Sequence, residues 1–294
     1  MSTPWVATTD GLHAIGEPAS AEFSGHEVNA LTRAGDAWWA LVDRHELWRH
    51  TGDSWQEVAA DRDLRLNCLS AHGDDVLVGT SEARLFRLAA DRLEPVKTFD
   101  DLPDRSEWFT PWGGPPDVRS IARSGAALFA NVHVGGIMRS DDDGTTWRQT
   151  IEVGSDVHEV IASDGVIAAA TAWGLALSND LGEGWEFTEE GLHASYARAI
   201  TIAGDVIVMS SSTGPRGGRA ALYRRPLSGG AFEKLEKGLP DFFPDNIDTG
   251  CIASAEGRVA FATDDGKVFL SEDQGGSWAQ VADGLGSARA VAFA

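Results

Sequence analysis

Apolar residues along the chain fall in short runs that stop at glycine or aspartate. The middle of the chain shows this best. Val157-His158-Glu159-Val160-Ile161-Ala162 is one run, and Gly165-Val166-Ile167-Ala168-Ala169-Ala170-Thr171 is the next. Gly174-Leu175-Ala176-Leu177-Ser178 follows, then Trp185-Glu186-Phe187. Runs of this length, rich in β-branched and aromatic residues, predict strands in an all-β chain. The first strand of each such group can be aligned down the chain. The segments are Val28-Asn29-Ala30-Leu31, Leu66-Asn67-Cys68-Leu69, Val118-Arg119-Ser120-Ile121 and Val157-His158-Glu159-Val160. Ala197-Arg198-Ala199-Ile200, Thr249-Gly250-Cys251-Ile252 and Ala288-Arg289-Ala290-Val291 complete a set of seven.

A second periodicity runs through the turns. Ser140-Asp141-Asp142-Asp143-Gly144-Thr145-Thr146-Trp147 matches Ser178-Asn179-Asp180-Leu181-Gly182-Glu183-Gly184-Trp185 and Ser271-Glu272-Asp273-Gln274-Gly275-Gly276-Ser277-Trp278. The shared pattern is Ser-x-Asp-x-Gly-x-x-Trp, and Thr51-Gly52-Asp53-Ser54-Trp55 is a degenerate copy. In such a turn the aspartate caps backbone N–H groups, the glycine supplies a conformation other residues resist, and the tryptophan packs inward. On these residues the chain resembles the Asp-box, or BNR-repeat, β-propeller superfamily. That superfamily includes sialidases, other glycosidases and photosystem assembly factors. The resemblance implies that Asp142, Asp180 and Asp273 are structural. A calcium loop at Asp141-Asp142-Asp143-Gly144 is discounted, because the bidentate glutamate expected later in such a loop is missing.

Four strands per repeat of about 40–45 residues make one propeller blade. The expected fold is a single seven-bladed β-propeller domain over 1–294, with six blades as the alternative. The expected blades are 5–25 with 288–294, 27–61, 62–100, 117–153, 156–192, 196–238 and 247–285. The last strand is expected to close the ring by joining the three N-terminal ones, which removes exposed sheet edges. Segments 100–117 and 239–246 exceed what blade geometry needs, and 210–218 is an insertion within a blade. All three are expected on the face opposite the Asp-boxes, where long loops tend to carry function.

Composition narrows the partners. The 294 residues hold 24 Lys plus Arg against 45 Asp plus Glu, a formal net charge of −21. An acidic chain is unsuited to neutralising phosphates, so no nucleic-acid partner is expected. Docking on an anionic membrane is disfavoured for the same reason, and no apolar run is long enough for a membrane helix. The N-terminus shows no secretory signal pattern. Two cysteines, Cys68 and Cys251, make no disulfide framework and read as buried small hydrophobes. A cytoplasmic location is the expectation.

Against this acidity, the second residue of each aligned tetrad draws notice. In order these are Asn29, Asn67, Arg119, His158, Arg198, Gly250 and Arg289. Convergent arginines form a fork for carboxylate, phosphate or sulfate. Alternatively, acidic neighbours such as Glu27, Asp117, Asp156 and Glu159 pair with them and knit the blades together. His133 lies in Asn131-Val132-His133-Val134-Gly135-Gly136 and is a candidate general base, with the glycines permitting close approach. It could equally be a structural histidine. Trp108 and Trp112, in the proline-held long loop, are candidates for a lid or stacking platform, or for a small satellite core. Trp173 is a further candidate on the same face.

The likeness to sialidases is partial. Arg119, Arg198 and Arg289 match the family's arginine triad only loosely. The Phe-Arg-Ile-Pro signature is absent, and the only tyrosines are Tyr196 and Tyr223. Tyr196 precedes Arg198 by two residues, but no glutamate can be assigned to pair with it, so true sialidase activity is not expected. No metal-binding spacing, phosphate loop or nucleotide cofactor motif occurs. The leading expectation is a hydrolase or lyase acting on a carboxylated or anionic small molecule or saccharide. Arg119, Arg198, Arg289, Asn29 and Asn67 would bind it, and His158, His133 or Tyr196 would act chemically. A non-catalytic propeller using the loop-bearing face for a protein partner, and a ligand sensor with no acid or base positioned, are the alternatives.

Overall fold

A computed structural model of the chain describes residues 2–16, 21–52 and 54–294. Residues 17–20 of the first expected blade and Asp53 of the degenerate turn copy lie outside the described residues. The chain folds into seven four-stranded antiparallel sheets, a seven-bladed β-propeller. The first sheet comprises β1 (Pro4–Thr8), β2 (Gly11–Ala14), β3 (Ala21–Glu22) and β28 (Ala288–Phe293). The second holds β4 (Val28–Ala34), β5 (Ala37–Val42), β6 (Glu46–Thr51) and β7 (Ser54–Ala60). Next come β8 (Leu66–His72), β9 (Asp75–Thr80), β10 (Leu85–Ala89) and β11 (Arg92–Pro95). The fourth has β12 (Val118–Ser124), β13 (Ala127–Val132), β14 (Gly136–Ser140) and β15 (Arg148–Ile151). In the fifth are β16 (Val157–Ser163), β17 (Val166–Thr171), β18 (Gly174–Ser178) and β19 (Glu186–Thr188). β20 (Tyr196–Ala203), β21 (Val206–Ser212), β22 (Ala221–Pro226) and β23 (Glu233–Lys234) form the sixth. β24 (Ile252–Ala255), β25 (Arg258–Ala262), β26 (Val268–Ser271) and β27 (Ala279–Ala282) form the last.

The expected strand exchange is present. β28 pairs antiparallel with β1, Val6 opposite Val291, so the first sheet is built from both ends of the sequence. No helix among the described residues is long and apolar enough to cross a membrane.

Two compact units are distinguished by packing. One comprises 1–28, 170–176 and 187–294, and the other 29–169 and 177–186. The first unit's core includes Leu222, Phe243, Phe261, Phe269 and Trp278. Phe261 and Phe269 stack at 4.8 Å, and Trp278 meets Phe261 edge-on at 5.0 Å. The second unit holds a core of Leu77, Leu85, Phe99, Leu128, Val132 and Trp147. Such clusters form because burial removes large apolar areas from water.

The repeated turns explain their own sequence. In the turn between β14 and β15, Ser140 Oγ donates to Asp142 Oδ1 at 2.8 Å and accepts from Gly144 N at 2.8 Å. Asp142 Oδ1 also accepts from Thr146 N at 2.8 Å. Trp147 Nε1 donates to Gly144 O at 3.1 Å, while Gly144 sits at φ 85°, which a side chain would resist. Asp180 and Asp273 repeat the arrangement, each accepting from its serine and from a backbone N–H four residues on.

Candidate functional site

The site grows from the alternation of β13. Leu128, Ala130 and Val132 enter the core of the second unit with Val118 and Leu77. Successive strand residues face opposite ways, so Phe129 and Asn131 occupy the other face, and His133 follows the strand's last residue. The backbone leaving β13 is held firmly. His133 N donates to Asp117 O at 2.9 Å, and Gly135 N to Val132 O at 2.8 Å. Val134 turns the chain at φ 56°, a costly conformation for a β-branched residue.

A second strained residue supplies the carboxylate. A single 3-10 turn, Val153–Ser155, ends at Asp156 in the left-handed region, φ 45° and ψ 64°. β16 starts immediately afterwards and carries His158 as its second residue. His133 Nε2 lies 3.2 Å from Asp156 Oδ1, and His158 Nε2 lies 3.7 Å from the same oxygen. The two imidazole centroids are 5.7 Å apart. Both rings are removed from water, at 4% and 0% side-chain exposure, while Asp156 keeps 32%.

Trp112 covers this cluster. Its ring stacks on His133 at 5.5 Å with an interplanar angle of 29°. The tip of its loop is fixed by Thr110, whose Oγ1 donates to Gly113 O at 2.9 Å and to Gly114 O at 3.1 Å. Burial works to raise the Asp156 carboxyl. The close approach of His133 and the charges of His158, His133 and Arg119 outweigh it, and hold the group below the usual carboxylate range. Asn131 is fully buried, and neither its Oδ1 nor its Nδ2 has a hydrogen-bond partner among the described residues.

The structure thus brings together His133, His158, Trp112 and the Arg119 charge. The sequence points to each of these, but offers Asp156 only as an ion-pair partner for arginine. Its left-handed backbone carries no sequence mark, since aspartate enters that region more readily than most residues. The remaining candidates take other surroundings. Trp108 is 7% exposed and packs with Phe99 at 5.9 Å, whereas Trp112 is 68% exposed. Gly135 and Gly136 are packed by the chain itself. A Cβ at Gly135 would come within 3.1 Å of Trp108 Cγ, and one at Gly136 within 2.4 Å of Ile151 O.

Four of the aligned tetrads share a feature that residue type did not reveal. The register shifts at Asn67 in β8, at Arg119 in β12, next to Arg198 in β20 and at Arg289 in β28. A bulge at this position re-aims the side chain away from the alternating pattern. Arg198 Nε lies 2.9 Å from Asp248 Oδ1, with its guanidinium 6.0 Å from the Tyr196 ring. Arg289 Nε donates to Glu27 Oε1 at 2.7 Å, and its Nη1 to Ser287 Oγ at 2.8 Å. Asn29 ties neighbouring segments, donating to Leu66 O at 2.8 Å and accepting from Arg44 N at 3.1 Å. Trp173 is exposed, with its backbone N–H donating to Thr171 Oγ1 at 3.0 Å.

No protein-family model and no curated protein matches the sequence. Solved structures do resemble the fold. The WD40 β-propeller domain of Doa1 aligns at TM-score 0.67 and 13% identity, over 97% of this chain and 88% of its own. A putative 6-phosphogluconolactonase from Bacteroides fragilis gives 0.65 and 12%, over 100% and 98%. YCF48 bound to D1 peptide gives 0.60 and 15%, over 95% and 84%. At these identities the likeness is one of architecture: the chain shares the β-propeller fold of all three.

Proposed function

We propose that the protein acts on a carboxylated or otherwise anionic small molecule or saccharide at the His133–Asp156–His158 cluster, by hydrolase- or lyase-type chemistry. The observation that carries this reading is the 3.2 Å approach of His133 Nε2 to a carboxylate held ionised. Such a pair orients an imidazole and stabilises its protonated form, as general acid–base catalysis requires. His133 takes a proton from water or from substrate, and Asp156 balances the charge that results. Arg119 meets the substrate's anionic group, and Trp112 screens the site from solvent. Arg198 and Arg289, already beside Asp248 and Glu27, are assigned to tying each sheet to the segment that leads into the next.

The test is binding and turnover of uronates. Glucuronate and oligogalacturonate are titrated calorimetrically, with 4-nitrophenyl glucuronide and oligogalacturonate as hydrolase and lyase reporters. Binding that Arg119→Ala weakens, with turnover that His133→Ala removes, supports the reading. Absence of binding to every anionic saccharide by the wild-type protein overturns it.

A second reading is supported by the exposure of Phe109 beside Trp112. Adjacent solvent-facing aromatics suit a peptide partner, and YCF48 with its D1 peptide provides a precedent within the fold. Under that reading Trp112→Ala abolishes capture of the partner and leaves uronate turnover absent throughout. The hydrogen-bonded Ser-x-Asp-x-Gly-x-x-Trp turns further support placing the chain in the Asp-box lineage. Two free, buried cysteines suit a cytoplasmic home.

A further inference from the structure

We propose that His133, Asp156 and His158 together bind a divalent transition-metal ion of the zinc class, with one coordination position left for water or for a ligand carboxylate. The inference rests on the same location as the reading above and deepens its chemistry. One ligand atom from each of the three residues lies within 4.8 Å of the others. Two imidazole nitrogens aim at a single carboxylate oxygen, at 3.2 and 3.7 Å. Donors placed tetrahedrally about 2.0–2.2 Å from an ion stand about 3.3–3.6 Å apart, so small side-chain shifts complete the geometry.

The donor chemistry selects the ion. Two imidazoles and one carboxylate suit zinc, cobalt or nickel, whereas calcium and magnesium favour all-oxygen shells. Burial makes the case stronger. Both imidazole rings are buried, at 4% and 0% side-chain exposure, so water does not compete for their nitrogens. The elements carrying the ligands are rigid: His133 is fixed by its N–H bond to Asp117, and Asp156 by a turn that holds it left-handed. Asn131, two residues before His133, carries two buried polar atoms with no hydrogen-bond partner among the described residues.

Three protein ligands leave the fourth position open, the arrangement of catalytic rather than structural zinc sites. The open position takes water or one carboxylate oxygen of the anion. An ion held there would lower the pKa of a bound water toward neutrality, and His133 would then hold the ion rather than move the proton.

The experiment is calorimetric titration of the chelator-treated, full-length protein with Zn²⁺, and with Co²⁺ followed by visible absorption. One tight site is expected, with the intense d–d bands of tetrahedral cobalt. His158→Ala and Asp156→Asn should each weaken Zn²⁺ by more than the roughly 10–100-fold that loss of an outer hydrogen-bond partner costs. Far-ultraviolet circular dichroism checks folding, and the part-exposed Asp156→Asn serves as the decisive variant if His158→Ala unfolds. Equal Zn²⁺ affinity in wild type and Asp156→Asn overturns the proposal. Uronate turnover that persists in a chelated protein binding no metal sinks this inference alone. Tight zinc with no binding of any anionic saccharide sinks only the functional reading.

Discussion

Asp142 and Asp156 lie in the same compact unit, and both carboxyls stand below the usual range, for opposite reasons. Asp142 is at the surface, and the backbone N–H of Thr146 is the main cause, followed by its hydroxyl and Ser140. Every partner comes from the one turn that the aspartate closes. Asp156 is partly buried, which works to raise it, and its stabilising partners are titratable side chains from the turn after β13, from β16 and from β12. A carboxylate saturated by its own turn has no capacity left for a ligand. A carboxylate that gathers imidazoles from elsewhere in the chain depends on groups whose own partners can change. The first arrangement stabilises a fold, and the second can do chemistry.

The contrast is broken most forcefully at Trp147, the buried end of the Asp142 turn. Trp147→Ala should cost roughly 3–5 kcal/mol in urea unfolding, by emptying a core shared with Phe99. Zinc affinity of the folded fraction should not change. If it collapsed with the fold intact, the turn and the cluster would not be separable.

Asp156→Asn should give the inverse pattern. The zinc-dependent rise in melting temperature disappears, while the urea midpoint moves less than in Trp147→Ala. Thermal scanning with and without Zn²⁺ reads both. pH offers a finer division. Asp142 and Asp156 both have folded-state values below their unfolded ones. Each therefore contributes stability above the unfolded value of about 3.9 and loses it as pH falls through the folded value. Unfolding midpoints should drop steadily on acidification below about pH 4. Asp142→Asn should flatten that slope without touching the zinc response, and Asp156→Asn should alter both.

The smallest effect concerns burial by itself. Cys68 is packed so closely that a Cβ on Gly79 would sit 2.6 Å from its sulfur, and burial pushes the thiol up to about 12. Ellman's reagent at pH 8 should find the folded protein essentially unreactive, with thiol appearing only in urea. Rapid native labelling of Cys68 would show that burial there is too weak to use as a reference for Asp156.

The fold was legible because its signals are local. Seven tetrads and three Ser-x-Asp-x-Gly-x-x-Trp turns each encode one sheet or one hairpin, and β28 joins β1 as the tetrad at Ala288 predicts. The candidate site was legible only in pieces. His133 and His158 stood out as polar residues within apolar runs, yet their meeting depends on two strands from different sheets. Asp156 was concealed by the many acids around it. The tetrad alignment marked a common position but could not show that Asn67, Arg119 and Arg289 sit in bulges. Trp108 and Trp112 look alike in sequence. Only the fold buries one against Phe99 and sets the other over an imidazole.

That last placement gives the protein a built-in optical gauge. An indole stacked 5.5 Å from an imidazole loses excited-state energy to it when the ring is protonated. Subtracting the spectrum of Trp112→Phe isolates this one indole among the chain's 11 tryptophans. Metal capture at His133 would register as a change in that difference signal. No label is needed to watch the site fill.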